Sequence, residues 1–213
     1  MRRILRLRCR RGQSMVEFTL ILPVMLFLIL GMIEMGFLIN HNVTTQTATR
    51  QGSRVGSVLV NGTSKCASTD TAAADMVDPQ IIGAVEGALA SPGSLTDPTQ
   101  VQSIVIFGVK ADGSSLGSNT WKYSAGGGPL LPGAAKPLDF KYSGGNWPAI
   151  GRCGAVTGAL PNGGASRIGV KITYTYRFMT PLGAFMKAFS SGSITMTDET
   201  TMAMEPPTPC PSR

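Results

Sequence analysis

Glu17 is the residue whose chemistry most needs an explanation. It stands at the mouth of an apolar run, Phe18 to Ile33, with Gly12 five residues before it. Six arginines precede that glycine: Arg2, Arg3, Arg6, Arg8, Arg10 and Arg11. A carboxylate at the edge of membrane-grade sequence is costly unless it is paired, so the residue is expected to do work as a charge. Catalysis is not the expected work. Glu34 sits at the far end of the same apolar segment, too distant to act with Glu17. No H-E-x-x-H or G-x-S-x-G set occurs, and the lone histidine, His41, at the end of an apolar helix makes a poor general base. Gly126-Gly127-Gly128 lacks a following Lys-Ser/Thr and is not placed between a strand and a helix, so it is no phosphate loop. Neither an enzyme nor a cofactor is expected.

The charge balance points the same way. The chain has 213 residues and a formal charge of +7, with 19 basic and 12 acidic side chains. Six of the basic residues lie before Gly12, which leaves the remainder near +1. The excess is a topology signal that holds the amino terminus on the cytoplasmic side. No basic stripe with interleaved aromatics follows, so nucleic acid is not an expected partner. Of the four cysteines, Cys9 falls in the arginine-rich leader. Cys66, Cys153 and Cys210 lie beyond the apolar run, on the side where disulfides persist. No pair has C-x-x-C spacing and His41 is remote from all three, so a bridge plus one further thiol is expected, and no metal.

The elements that must position these groups begin with a helix. Phe18 to Ile39 is long enough to cross a bilayer of ~30 Å at ~1.5 Å per residue. A cleaved signal peptide would have a shorter apolar region and an A-x-A-like site, and the Arg-Arg pairs alone are a weak twin-arginine signal. A retained anchor is the better reading. Pro23 lacks an N–H, so a kink or local opening is expected there. Glu34 is expected to snorkel to the interface. The helix should continue as a stem to Val60, with Ala48, Gly52 and Gly56 on one face for close approach to the outer domain or a neighbouring subunit.

Beyond the stem, the pattern predicts an α+β domain in which a helix packs on an antiparallel sheet of about three strands. Asp78 is expected to cap a helix whose first turn holds Pro79, with Ile81, Val85 and Leu89 inward. Strands are expected at Val101 to Lys110, at Ile168 to Phe178 with strict alternation, and at Ser193 to Met204 with a bulge at Asp198-Glu199. Asp112 to Ser166 is rich in Gly, Pro and Ser and reads as a surface insertion with room for a small hairpin of its own. Its aromatics Trp121, Tyr123, Phe140, Tyr142 and Trp147 either pin it to the domain or bind a ligand. Leu182, Phe185, Met186 and Phe189 recur at helical spacing, as core or as a docking patch. The predicted organisation is a leader over 1–12, a membrane and stem helix over 13–60 and an extracytoplasmic domain over 61–213. Antiparallel neighbours would bring the end of the first strand, the start of the second and the end of the third to one edge. The cysteines should gather there, with Cys66–Cys210 preferred and Cys66–Cys153 a close second.

The stretch GQSMVEF, between the arginines and the apolar run, resembles the processing site of type IV-pilin-like proteins. More fully, RRGQSMVEFTLILPVMLFLILGMIEMGFLIN and QTATRQGSRVGSV resemble the amino-terminal segment of TadE-like minor pseudopilins of tight-adherence (Flp) pilus systems. The tail, VKITYTYRFMTPLGAFMK and SITMTDETTMAMEP, is similar to that family as well. The resemblance implies cleavage after Gly12 by a prepilin peptidase, with Gln13, Glu17 and Phe18 completing the processing site. It implies packing with other subunits through Glu17, Pro23, Ala48, Gly52 and Gly56. The implied partners are membrane lipid, the peptidase, the major Flp pilin, other minor pseudopilins and the inner-membrane assembly platform. The implied location is the cytoplasmic membrane, with the domain extracytoplasmic. A membrane-anchored module that binds a ligand or surface outside the cell is the alternative.

Overall fold

In the computed structural model, which describes residues 13–59, 77–147, 167–187 and 192–204, the strongest sequence pattern becomes the centre of the sheet. β4 (Arg167–Arg177) buries Ile168, Val170, Ile172, Tyr174 and Tyr176, while Lys171, Thr173 and Thr175 stay part-exposed. That is the period-2 alternation of a strand covered on one face. β1 (Val101–Val109) pairs with it antiparallel, and Ile104, Ile106 and Gly108 stand opposite Ile172, Val170 and Ile168. β5 (Ser193–Ala203) lies on the other side of β4.

The sheet has five strands rather than about three. β2 (Ser115–Tyr123) pairs antiparallel with β1, and β3 (Phe140–Gly145) with β2, giving the order β3-β2-β1-β4-β5. Both additional strands come from the stretch expected to be a surface insertion. Trp121, Phe140 and Trp147 are at most 1% exposed, so the region contributes to the core. Trp147 lies over Gly108, where an added Cβ would come within 2.5 Å of the indole. Asn119 closes the arrangement. Its Nδ2 donates to Trp147 O at 2.9 Å and to Asp78 Oδ2 at 3.0 Å, and its Oδ1 accepts from Trp147 N at 3.3 Å.

Asp78 therefore does not serve as the expected helix cap. It lies inside the first turn of α2 (Val77–Leu89), buried, with its carboxylate turned to the sheet. Ile81, Val85 and Leu89 face the core as their spacing predicts, together with Ile82. The slip in alternation expected at Asp198-Glu199 does not occur. Exposure alternates without a slip from Met196 to Ala203, which turns Asp198 inward and Glu199 outward. Glu199 meets Lys171 of β4 at 3.8 Å on the exposed side.

α1 (Gln13–Leu59) is a single 47-residue helix that stays helical through Pro23. The chain divides into two compact units, and the division falls inside this helix. One unit holds the chain up to Leu38 together with Arg177–Ser193. The other holds Ile39–Tyr176 and Ile194 onward, so the stem half of the helix belongs with the sheet.

Candidate processing site and membrane anchor

α1 is described from Gln13, with Glu17 and Phe18 exposed one turn later. Four residues of helix rise ~6 Å and return to the same face, so Gln13 and Glu17 are neighbours along the helix surface. Gly12 lies outside the described residues, as do Cys66, Cys153 and Cys210. The expected bridge is therefore not placed, although one part of its basis is. Val109 pairs with Arg167, so the end of β1 and the start of β4 share an edge.

From Ser14 to Ile29 every side chain is exposed, and the most apolar 18-residue window has a mean hydropathy of 2.5 with none of it covered. This is the one described helix long and apolar enough to cross a membrane. At Pro23 the amide that would reach the Thr19 carbonyl is missing. The Thr19 hydroxyl donates to Met15 O at 2.7 Å.

Glu34 does not snorkel. It is 3% exposed, and its two carboxylate oxygens accept the backbone N–H groups of Met179 at 3.0 Å and Thr180 at 3.1 Å. A carboxylate removed from water needs such donors, and two charge-assisted bonds supply them. The sequence signal was present, an acid inside an apolar run, but its partner is backbone and leaves no trace in side-chain patterns.

The stem half carries a buried stripe of unusual composition. His41, Thr44, Thr45, Ala48, Thr49, Gly52, Ser53, Gly56 and Ser57 fall at helical spacing and are all buried. Ala48, Gly52 and Gly56, named above for subunit packing, face the chain's own domain. A Cβ on Gly52 would sit 2.7 Å from Val85 and 3.2 Å from Val170, and one on Gly56 would sit 2.8 Å from Ile168. The hydroxyls have fixed partners. Thr49 donates to the Asp198 carboxylate and lies 3.0 Å from Thr200 Oγ1, while Ser53 donates to Thr200 O at 2.7 Å.

His41 occupies the same stripe. Its Nδ1 is 3.1 Å from Thr96 Oγ1, and its ring stacks on Tyr174 and tilts against Tyr176. Tyr174 donates to Gln100 Oε1 at 2.8 Å, and burial foremost pushes its hydroxyl up to about 12, so it remains a neutral donor. Glu86 on α2 accepts the N–H groups of Asp139 and Phe140. Burial raises its carboxyl to about 7, with the nearby Asp139 charge adding to the effect. Among the described residues no three His, Cys, Asp or Glu side chains converge as a metal site would require.

No curated protein and no solved structure matches the chain. The profile of one family does match, and its span runs from Gly12 through most of the buried stripe. Over residues 12–54 the chain is similar to the TadE-like protein family.

Proposed function

We propose that this chain is a minor pseudopilin required for assembly of a tight-adherence pilus, inserted through the first half of α1 and cut after Gly12. The observation that carries the reading is the TadE-like match over residues 12–54, which takes in Gly12, Glu17 and the fully exposed apolar half of α1. Cleavage there would create an α-amine on Gln13, one helical turn from Glu17. A carboxylate drawn from the membrane edge toward the hydrocarbon is costly. That cost falls when Glu17 meets its own amine or that of a neighbouring subunit, so assembly is favoured where insertion alone is not. The arginines set the leader on the cytoplasmic side. The partners that follow are a prepilin peptidase, the major pilin, sister pseudopilins and the inner-membrane platform.

The ligand-binding alternative rested on the aromatics of the 112–166 stretch. Trp121, Phe140 and Trp147 are core side chains, so that surface loses three of its five aromatics. Intact-mass measurement of the protein from native membranes tests the proposal. Loss of Met1 to Gly12 is expected, and Gly12→Trp should abolish it by placing a large side chain beside the scissile bond. A full-length mature chain would reject processing. Glu17→Ala should insert and be processed but support no pili, and normal piliation by this variant would reduce Glu17 to an interfacial residue.

A further inference from the structure

In the unit formed by the apolar half of α1 and Arg177–Ser193, Glu34 fixes the depth of everything bound to it. Ser14 to Glu34 spans about 30 Å of helix, the thickness of a bilayer's hydrocarbon core. The backbone of Met179 and Thr180 is bonded to Glu34, so this arm sits where the hydrocarbon ends. Met179 is 51% exposed there. The headgroup layer occupies roughly the next 5–7 Å.

At that level the arm folds around a cleft of about 480 Å³, lined by Arg177, Phe178, Thr180, Lys187, Gly192 and Ser193 among others. Two cations line it, and the one carboxylate bonded to its wall, Glu34, is taken up by the Met179 and Thr180 amides. Thr180 Oγ1 is buried and has no hydrogen-bond partner among the described residues. α3 (Leu182–Lys187) closes one side. Two glycines let the arm fold tightly. A Cβ on Gly183 would press on Phe178 at 2.7 Å, and one on Gly192 would meet the Lys187 stem at 2.5 Å. Gly192 also has a φ of +67°, a conformation other residues adopt only with strain. Gly192 and the Lys187 stem thus lie in close contact.

We propose that this cleft binds the phosphate of an anionic phospholipid headgroup in the leaflet beyond Glu34. Arg177 and Lys187 would supply the charge and Thr180 Oγ1 a donor that is otherwise unused. A basic cleft with a spare hydroxyl, at phosphate depth, matches that chemistry, and the exposed Met179 continues into the acyl region. The inference rests on the membrane reading of α1. It adds a second anchor that fixes the arm against the bilayer surface.

Native mass spectrometry of the full-length protein released from phosphatidylcholine nanodiscs doped with phosphatidylglycerol tests it. A retained phosphatidylglycerol is expected on the wild type. Each basic side chain near an anionic surface is worth about fivefold, so Arg177→Gln with Lys187→Gln should lower retention roughly 25-fold. Thr180→Val should lower it less. Arg50→Gln with Arg54→Gln, on the exposed stem, should leave it unchanged. Equal retention in the Arg177/Lys187 variant overturns the site. Loss of retention in 10-fold excess inorganic phosphate over lipid reassigns it to free phosphate and overturns the lipid claim. Flotation with vesicles separates this from the underlying reading. A protein that floats yet shows no phosphatidylglycerol preference refutes the cleft alone, whereas failure to float refutes the anchor.

Discussion

Replacing Glu34 should free the Arg177–Lys187 arm while leaving α1 intact. Each carboxylate oxygen takes one backbone N–H, at 3.0 and 3.1 Å. A hydrogen bond to a charged group contributes about 1.5–3 kcal/mol. In Glu34→Ala both are lost, and alanine is a strong helix former that does not disturb α1. The freed amides sit at the end of the apolar span and reach water once the arm opens, so the lower end applies, about 3 kcal/mol for the pair. In Glu34→Gln one neutral oxygen remains as acceptor and the amide NH₂ faces the second donor, so roughly half is lost. Hydrogen exchange in detergent micelles or nanodiscs reads this directly, because local opening sets the protection of individual amides. Peptides covering Met179 and Thr180 should exchange roughly 100-fold faster in Glu34→Ala and about 10-fold faster in Glu34→Gln. Peptides from β1 and β4 up to Tyr176 should not change. Wild-type protection at Met179 and Thr180 in Glu34→Ala would show that the carboxylate does not hold the arm, and the cleft would then have no fixed depth.

Gly52→Leu forces a side chain into Val85 and Val170, and an overpacked site of this kind costs about 1–3 kcal/mol, so the thermal midpoint of the sheet domain should fall by several degrees; an unchanged midpoint would mean the stem is not docked there. Glu86 sets a pH dependence. Its folded carboxyl sits at about 7 against an ordinary 4.5, so its contribution is fully present below pH 4.5 and is lost as pH rises through 7. With the group part-exposed, about 1 kcal/mol survives screening. Glu86→Gln should therefore gain on wild type between pH 4.5 and 7.5 in thermal denaturation, and a constant difference would reject the assignment. Phe185→Asp distinguishes two roles for the arm's apolar residues. A degraded protein marks core, and a stable protein without pili marks a docking patch.

How legible this was depended on which faces were buried. β4 was readable because it is covered on one face only, so hydrophobicity alternates residue by residue from Ile168 to Tyr176. α2 and β1 were readable for the same reason. β2 and β3 were not. In SLGSNTWKY and FKYSGG only Trp121 and Phe140 are buried apolar side chains, and one further inward position is Asn119. A buried asparagine looks polar in sequence. It works here because Asp78 and the Trp147 backbone are its partners, and neither is near it along the chain. Asp198 misled in the same manner. An acid in a threonine-rich strand reads as a slip to the exposed face, whereas Thr49 receives it on the inner one.

The stem contact shows what such polar burial contributes. The stripe from His41 to Ser57 holds one alanine, two glycines and otherwise polar side chains, so it removes little apolar area from water and gains correspondingly little from the hydrophobic effect. What it gains is register. A shift of one residue along α1 turns Thr49 by about 100° away from Asp198 and Thr200 and brings a side chain larger than glycine against Val85 or Ile168. The first change leaves a part-buried carboxylate without its donor, and the second overpacks a filled space. An apolar stripe would tolerate such a slip far better, because hydrophobic contact is non-directional. The helix is therefore held at one register by groups that are costly anywhere else.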